Sequence, residues 1–242
     1  MTQPDDPHAA TNVRFLAVAD AAALRDEALQ RILDAASAAI AQRGVFLLVL
    51  AGGSTPRAIY RELAHATADW ARWQIYFGDE RCLPPLHPDR NSIMAGSAWL
   101  DHAPIPRANV HSIPAELGPI EGARVYAVEL NDVGEFDLVL LGLGEDGHTA
   151  SLFPDEDWGV SADAAAAIAV FKAPKAPPER ISLSAHRLSR ARAVLFLIDG
   201  EGKRHAVTAW RAGAQIPATA IQPAAGVDAL VVADLLVAEA RS

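Results

Sequence analysis

Three uninterrupted apolar runs limit what this chain can fold into: Val45–Leu50 (VFLLVL), Leu138–Leu141 (LVLL) and Ala193–Ile198 (AVLFLI). Runs of this length without polar alternation suit strands buried on both faces, as in a parallel sheet covered by helices. Each run stops at glycine: Gly52-Gly53, Gly142-x-Gly144-x-x-Gly147 and Gly200-x-Gly202. A first strand over Val13–Val18 leads to an alanine-rich helix over 21–42, with Asp20 as N-cap and Gly44 as C-cap. Its residues Leu24, Ala28, Ile32, Ala35, Ala36 and Ala39 fall on one stripe. Further strands are expected at Trp73–Gly78, Val110–Ile113, 168–171, Arg180–Ser184 and Ala229–Val232. Helical patterns begin at Arg57, run from Asp89 to about Leu100, cover 119–131, make one turn at 186–190, and follow Lys203 through Ala212. A closing helix is expected over Ala233–Ala240. Strands alternating with helices predict an α/β fold: a doubly wound, mostly parallel sheet with helices on both faces.

At 242 residues, 51% hydrophobic and 21% charged, the chain has the makings of one globular domain of ordinary size. The expected division is a disordered tail over 1–12 and a single domain over 13–242. A net charge of −9 argues against nucleic acid and anionic membrane as partners. No apolar stretch approaches a membrane span, and the acidic N-terminus lacks the features of a secretion signal. Cys82 is the single cysteine, which excludes an internal disulfide and suits a reducing, cytoplasmic setting.

In open α/β sheets ligands bind outside the carboxyl ends of the strands, so the glycine turns are where function is expected. The turn after Leu141 delivers His148, Thr149 and Ser151 directly. Its glycine spacing formally matches a dinucleotide fingerprint, but Glu145 and Asp146 inside the loop would repel a diphosphate. The turn also lies past the middle of the chain, whereas that fingerprint belongs to a first βαβ unit. An aspartate two residues before a histidine suits an imidazole that moves protons, with a carboxylate to orient it or raise its basicity. The competing reading is a histidine that merely caps its own turn.

Gly52-Gly53-Ser54-Thr55-Pro56 joins a buried strand to an amphipathic helix, with Pro56 expected at the first helical position. Bare amides, a helix start and two hydroxyls make a phosphate cradle. It is not a P-loop, whose lysine is missing. A tight turn capped by Ser54 would also account for the glycines. Ser54 as a hydrolase nucleophile would require the absent G-x-S-x-G elbow. Asp79-Glu80-Arg81 ends another strand and reads either as a solvated loop or as part of a shared site. Basic residues near the expected rim are Arg57, Arg81, Arg90, Lys172, Lys175, Arg180 and Lys203. Of these, Arg81, Arg180 and Lys203 adjoin buried strands and are the better candidates for contact with an anion.

AGGSTPRAIYREL (51–63), YFGDER (76–81), DRNSIMA (89–95), FDLVLLGLGEDGHTASLFP (136–154), PPERISLS (177–184) and LIDGEGKRHAV (197–207) together resemble the motifs of the 6-phosphogluconolactonase family, in order. The resemblance extends from about Val13 to Ala240, and DGHTASLFP is its most specific part. It implies the fold of glucosamine-6-phosphate isomerases and hydrolysis of 6-phospho-D-glucono-1,5-lactone to 6-phosphogluconate, the second step of the oxidative pentose phosphate pathway. It also implies no metal and no organic cofactor. The implied partner is a small sugar-phosphate lactone, met by a monomer or weak homo-oligomer.

On this resemblance His148 is the general base, and Asp146 either orients it or contacts substrate hydroxyls. Arg81 or the turn amides would stabilise the developing oxyanion. Gly52, Gly53, Ser54 and Thr55 would hold the phosphate, with Arg180 and Lys203 neutralising it. The sister deaminases follow their histidine turn with asparagine, glutamate and proline; here Ser151-Leu152-Phe153-Pro154 carries no acid until Asp155. That departure favours lactone hydrolysis over isomerisation or deamination, and a non-catalytic sugar-phosphate sensor is the remaining alternative. Cys82 stands where the lactonase pattern has an aliphatic residue.

Overall fold

The structure, a computed structural model, describes residues 12–237. Nearly all of the expected tail over 1–12, and the end of the expected closing helix, lie outside the described residues. In chain order the elements are β1 (Val13–Val18), α1 (Ala21–Arg43), β2 (Phe46–Leu50), α2 (Ser54–Leu63), β3 (Trp73–Phe77) and β4 (Asp79–Arg81). Then come α3 (Asn91–Ala95), β5 (Val110–His111), α4 (Pro119–Glu129), β6 (Leu138–Gly142), β7 (Ala167–Val170) and β8 (Arg180–Leu183). The chain continues with α5 (Ala185–Ser189), β9 (Val194–Ile198), α6 (Arg204–Arg211) and β10 (Val227–Val232).

Seven strands form one parallel sheet in the order β1-β10-β9-β6-β2-β3-β5. Every residue of β9 is buried, as a strand covered by helices on both faces requires. β2 and β6 are neighbours, with Leu48 beside Leu138, yet the chain leaves them in opposite directions. From β2 it moves outward to β3 and β5; from β6 it moves to β9. The crevice at such a divergence is the preferred ligand position in open α/β sheets. The glycine turns after β2 and β6 open there.

Helix α1 has the predicted termini. The Asp20 carboxylate accepts from the Ala23 amide at 2.8 Å, and Gly44 closes the helix at φ 77. Leu24, Ala28, Ile32, Ala36 and Ala39 are buried along it, while Ala35 is only partly so. Among the described residues no helix is long and apolar enough to cross a membrane.

Several local expectations need correction. Helix α2 starts at Ser54, so Pro56 is its third residue rather than its first; any first-turn amide lacks an intrahelical partner, so proline is tolerated there too. Gly53 is the N-cap, and no side chain, Ser54 included, caps this helix. The closing segment is a short 3₁₀ turn over Ala233–Leu236 as far as it is described. Asp79-Glu80-Arg81 is not a solvated loop. It is β4, which pairs antiparallel with β8, and β8 pairs with β7, forming a second sheet of three strands.

Glu80 explains how three consecutive charges enter the interior. It is 0% exposed, and its Oε1 accepts from the amides of Asn91 (2.6 Å) and Arg81 (2.9 Å). Oε2 accepts from the Ser92 amide (2.8 Å) and hydroxyl (2.7 Å), with Arg90 Nε at 3.5 Å. A distant carboxylate thus caps α3, whose own N-cap residue, Arg90, offers no side-chain cap. Breaking one partner of a buried pair strands the other, so Glu80→Ala should destabilise the fold by about 3–5 kcal/mol. Urea unfolding checks this; a loss below about 1 kcal/mol, no more than an ordinary neutral hydrogen bond, would mean that the carboxylate is not what anchors β4.

Candidate active site

A cleft of about 320 Å³ opens at the carboxyl ends of the central strands. Gly52 and Gly53 line it from the end of β2, and Asp79 and Arg81 from β4, which continues β3 through Gly78. Gly144 and His148 come from the turn after β6, and Lys203 from the turn after β9. Arg180, at the start of β8, and Lys175, in the loop before it, close the wall.

The histidine turn is fixed by its own backbone. The Gly144 amide donates to the His148 carbonyl at 2.7 Å, and the Gly147 amide to the Gly144 carbonyl at 3.1 Å. Gly147 sits at φ 85, a conformation that favours glycine. At Gly144 an added Cβ would lie 2.0 Å from His148 Nδ1, so the imidazole packs onto a bare Cα. No helix follows the turn, unlike a dinucleotide-binding unit; instead Thr149 and Leu152 form a β-bridge. Asp146 Oδ1 lies 2.5 Å from His148 Nδ1 and also accepts from the His148 amide at 3.1 Å. Partial burial pushes the Asp146 carboxyl up, but the bonds from the His148 amide and ring outweigh it and hold it below the usual aspartate value. A carboxylate at Nδ1 places the ring proton there and leaves Nε2 as the basic nitrogen. The Phe153 ring lies 4.8 Å from the imidazole, centroid to centroid, and backs it on the cleft side.

The Gly52-Gly53 turn meets the rest of the site through Asn91. The Asn91 amide nitrogen donates to Asp79, to its carbonyl and to its Oδ1, both at 2.9 Å. Asn91 Oδ1 is buried without a hydrogen-bond partner, and a Cβ on Gly52 would stand 2.2 Å from it. Gly52 is therefore glycine because the asparagine amide occupies its side-chain space. The other Asp79 oxygen accepts from Ser151 Oγ at 2.5 Å, which joins β4 to the histidine turn. Ser151 is held in turn by Ser182, whose Oγ accepts from the Ser151 amide at 3.2 Å.

Arg81, Lys175, Arg180 and Lys203 line the cleft against a single carboxylate, Asp79. Burial lowers the Lys203 ammonium, opposed by Glu145 and reinforced by Lys175. Burial likewise lowers the Arg180 guanidinium, opposed by Asp79. Arg81 gives Nη1 to the Asp89 carbonyl at 2.6 Å and keeps a buried Nε without a partner. The site can accept an anion, offer the bare glycine turn of residues 52–53, and place one imidazole beside them.

Of the residues singled out in the sequence, His148, Arg81, Gly52, Gly53, Arg180 and Lys203 wall one cleft. Asp146 touches it through His148, and Ser54 and Thr55 begin α2 just behind the glycines without walling the cleft. Arg90 is buried and structural, bonded to Glu116 and to the Ile113 carbonyl. Arg57 and Lys172 are exposed and do not line the cleft. Sequence reasoning left Asp79, Asn91 and Lys175 without a role, although all three wall the site. The available signal for the first two was two polar stretches flanking one proline-rich loop.

The sequence profile of glucosamine-6-phosphate isomerases/6-phosphogluconolactonase matches residues 19–231. Among curated proteins, a 6-phosphogluconolactonase of Synechocystis sp. is 38% identical over 193 residues, which is 76% of this chain and 79% of that protein. A 6-phosphogluconolactonase of Streptomyces coelicolor is 39% identical over 215 residues, 81% of this chain and 80% of that one. Among solved structures, 6-phosphogluconolactonase from Thermotoga maritima superposes with a TM-score of 0.83 at 26% identity, covering 91% of this chain and 99% of that one. A profile spanning nearly all the described residues, and relatives matched over most of their own length, agree with the cleft at the sheet's divergence: the chain belongs to the glucosamine-6-phosphate isomerase/6-phosphogluconolactonase family.

Proposed function

We propose that this enzyme hydrolyses 6-phospho-D-glucono-1,5-lactone to 6-phosphogluconate, with His148 as general base. The observation that carries the reading is the 2.5 Å contact between Asp146 and His148 Nδ1, in a ring that lines the same cleft as the Gly52-Gly53 turn and four cations. The named activity of the relatives supports the substrate.

In this mechanism His148 Nε2 takes a proton from a water whose oxygen attacks lactone carbon 1. The carbonyl π pair moves onto oxygen, and the resulting oxyanion is met by turn amides or by Arg81. Collapse breaks the bond from carbon 1 to the ring oxygen, which receives the proton back from the imidazolium. Asp146 keeps the ring in the working tautomer and stabilises its protonated form. At the far end Gly52 and Gly53 receive the phosphate at the start of α2, whose first residues Ser54 and Thr55 lie just behind them, with Lys203 and Arg180 supplying positive charge. Where the deaminases continue their histidine turn into asparagine, glutamate and proline, this chain has Ser151-Leu152-Phe153-Pro154, and the Ser151 hydroxyl is bonded to Asp79.

A lactonase assay corrected for spontaneous hydrolysis tests the reading directly. Acceleration above background is expected; binding of 6-phosphogluconate without acceleration would indicate a sensor, and ammonia released from glucosamine 6-phosphate would indicate a deaminase. His148→Ala should lower kcat by ~10²–10⁴-fold with unchanged folding. Full kcat in that variant would remove His148 from the chemistry. Asp146→Asn should favour the wrong tautomer and lower kcat by ~10²–10⁴-fold, with KM moved far less. Equal changes in both parameters would place Asp146 on the substrate instead.

A further inference from the structure

Two strands that lead into the cleft outrun their neighbours. β6 pairs with β2 only at Leu48 and Val49, and β5 pairs with β3 only at Ile75 and Tyr76. The Gly78 amide donates to the Leu50 carbonyl at 3.0 Å, so these two residues face each other between β2 and β3. Successive residues of a strand turn their N–H and C=O to alternate sides, so Ala51 faces the β6 side and Phe77 the β5 side. Among the described residues the ladder has already ended on both sides.

One tyrosine hydroxyl fills each gap. Tyr60, on α2, accepts from the Ala51 amide at 3.0 Å and donates to the Ala51 carbonyl at 2.8 Å. Tyr126, on α4, accepts from the Phe77 amide at 3.1 Å and donates to the Phe77 carbonyl at 3.2 Å. Both tyrosines are fully buried, and burial pushes both phenols above the ordinary tyrosine value despite these bonds. Each keeps its proton, so one neutral hydroxyl can both give and receive. Neither tyrosine lines the cleft, but the residues they hold lie at its edge. Ala51 lines it and precedes Gly52-Gly53, while Phe77 precedes Gly78 and Asp79, which line it too.

We propose that Tyr60 and Tyr126 are positioning residues for the reaction: each hydroxyl stands in for a strand neighbour that stops short, and so fixes the backbone from which one wall of the cleft begins. The inference rests on the reading of this cleft as the site of a phosphorylated lactone. Tyr60 acts on the glycine turn and hence on binding. Tyr126 acts on the segment that carries Asp79, which reaches the histidine turn through Ser151 and hence the chemical step.

Tyr60→Phe and Tyr126→Phe each remove one oxygen and keep the ring, so the two walls can be loosened separately. Both variants should melt at a lower temperature, because a buried N–H and C=O lose their partner. Assayed well below that temperature, Tyr60→Phe should raise KM for the lactone and Kd for 6-phosphogluconate roughly tenfold, with kcat within about threefold. Tyr126→Phe should lower kcat roughly tenfold, with KM within about threefold. Lower melting temperatures with unchanged kinetic parameters would make the hydroxyls merely structural and overturn the proposal, as would identical changes of KM and kcat in both variants. Should either variant fail to fold, hydrogen exchange in the unaltered chain decides. The Ala51 and Phe77 amides should be as protected as those of Val49 and Ile75, which have strand partners, and exchange at the rate of a free amide refutes the assignment. The two readings also fail separately. If the unaltered chain turns over no lactone, yet Tyr60→Phe weakens 6-phosphogluconate binding tenfold, the hydrolysis is refuted and the positioning role of Tyr60 is supported.

Discussion

A carboxylate with no exposure to water holds this site together. Asp79 and Glu80 are successive residues of a strand, so their side chains leave it on opposite sides. Glu80 turns inward and accepts from three backbone amides and one hydroxyl, which is what a buried charge needs if it is to be tolerated. That fixes the first turn of α3, and α3 begins with Asn91. Asn91 then bonds to Asp79 on the other side of β4 and fills the space over Gly52. Through Ser151, Asp79 reaches the turn that carries His148. The glycine turn, the charged strand and the histidine turn are therefore joined by side chains as well as by the sheet below them.

How much of this could be read from the chain follows from where the determining contacts lie. Central strands buried on both faces leave unbroken apolar runs, so β2, β6 and β9 are visible in the residues themselves. Asp20 and Gly44 mark α1 because a helix cap is made within a few residues. β4 is invisible by the same logic. Three charges in a row predict solvent, and donors from Asn91, Ser92 and Ser151, with Arg90 beside Glu80, are what make burial tolerable. Those donors have no fixed spacing from Asp79 and Glu80, so no local rule finds them. Asn91 had no visible role, and Lys175 was one basic residue among several near the rim, for the same reason: a helix start and a proline-rich loop acquire roles only against distant elements. The two-residue separation of Asp146 and His148 is local, and it was legible.

Charge distribution adds a second constraint. The chain carries a net charge of −9, whereas the residues lining the cleft include four cations and one carboxylate. The summed field of the protein repels an anion at long range, and at physiological ionic strength it is screened beyond roughly 8 Å. Attraction must therefore come from groups in direct reach, and those groups are costly to hold together before the anion arrives. Lys203 shows that cost in its lowered pKa, for which burial and Lys175 are responsible.

The same arrangement bears on how a lactone could be chosen and then hydrolysed. Under the proposed reading, the phosphate is remote from the bond that breaks, so its contacts are made equally in the bound substrate and at the transition state. Contacts of that kind lower KM without accelerating the chemical step unless they hold the reacting carbon against the base. That condition requires a rigid distance between the anion end and the imidazole. The side-chain links from Gly52 through Asn91, Asp79 and Ser151 to the histidine turn span the same gap and do not depend on the substrate. Phosphate binding can orient the lactone for His148 only because the protein has already fixed that gap with buried hydrogen bonds.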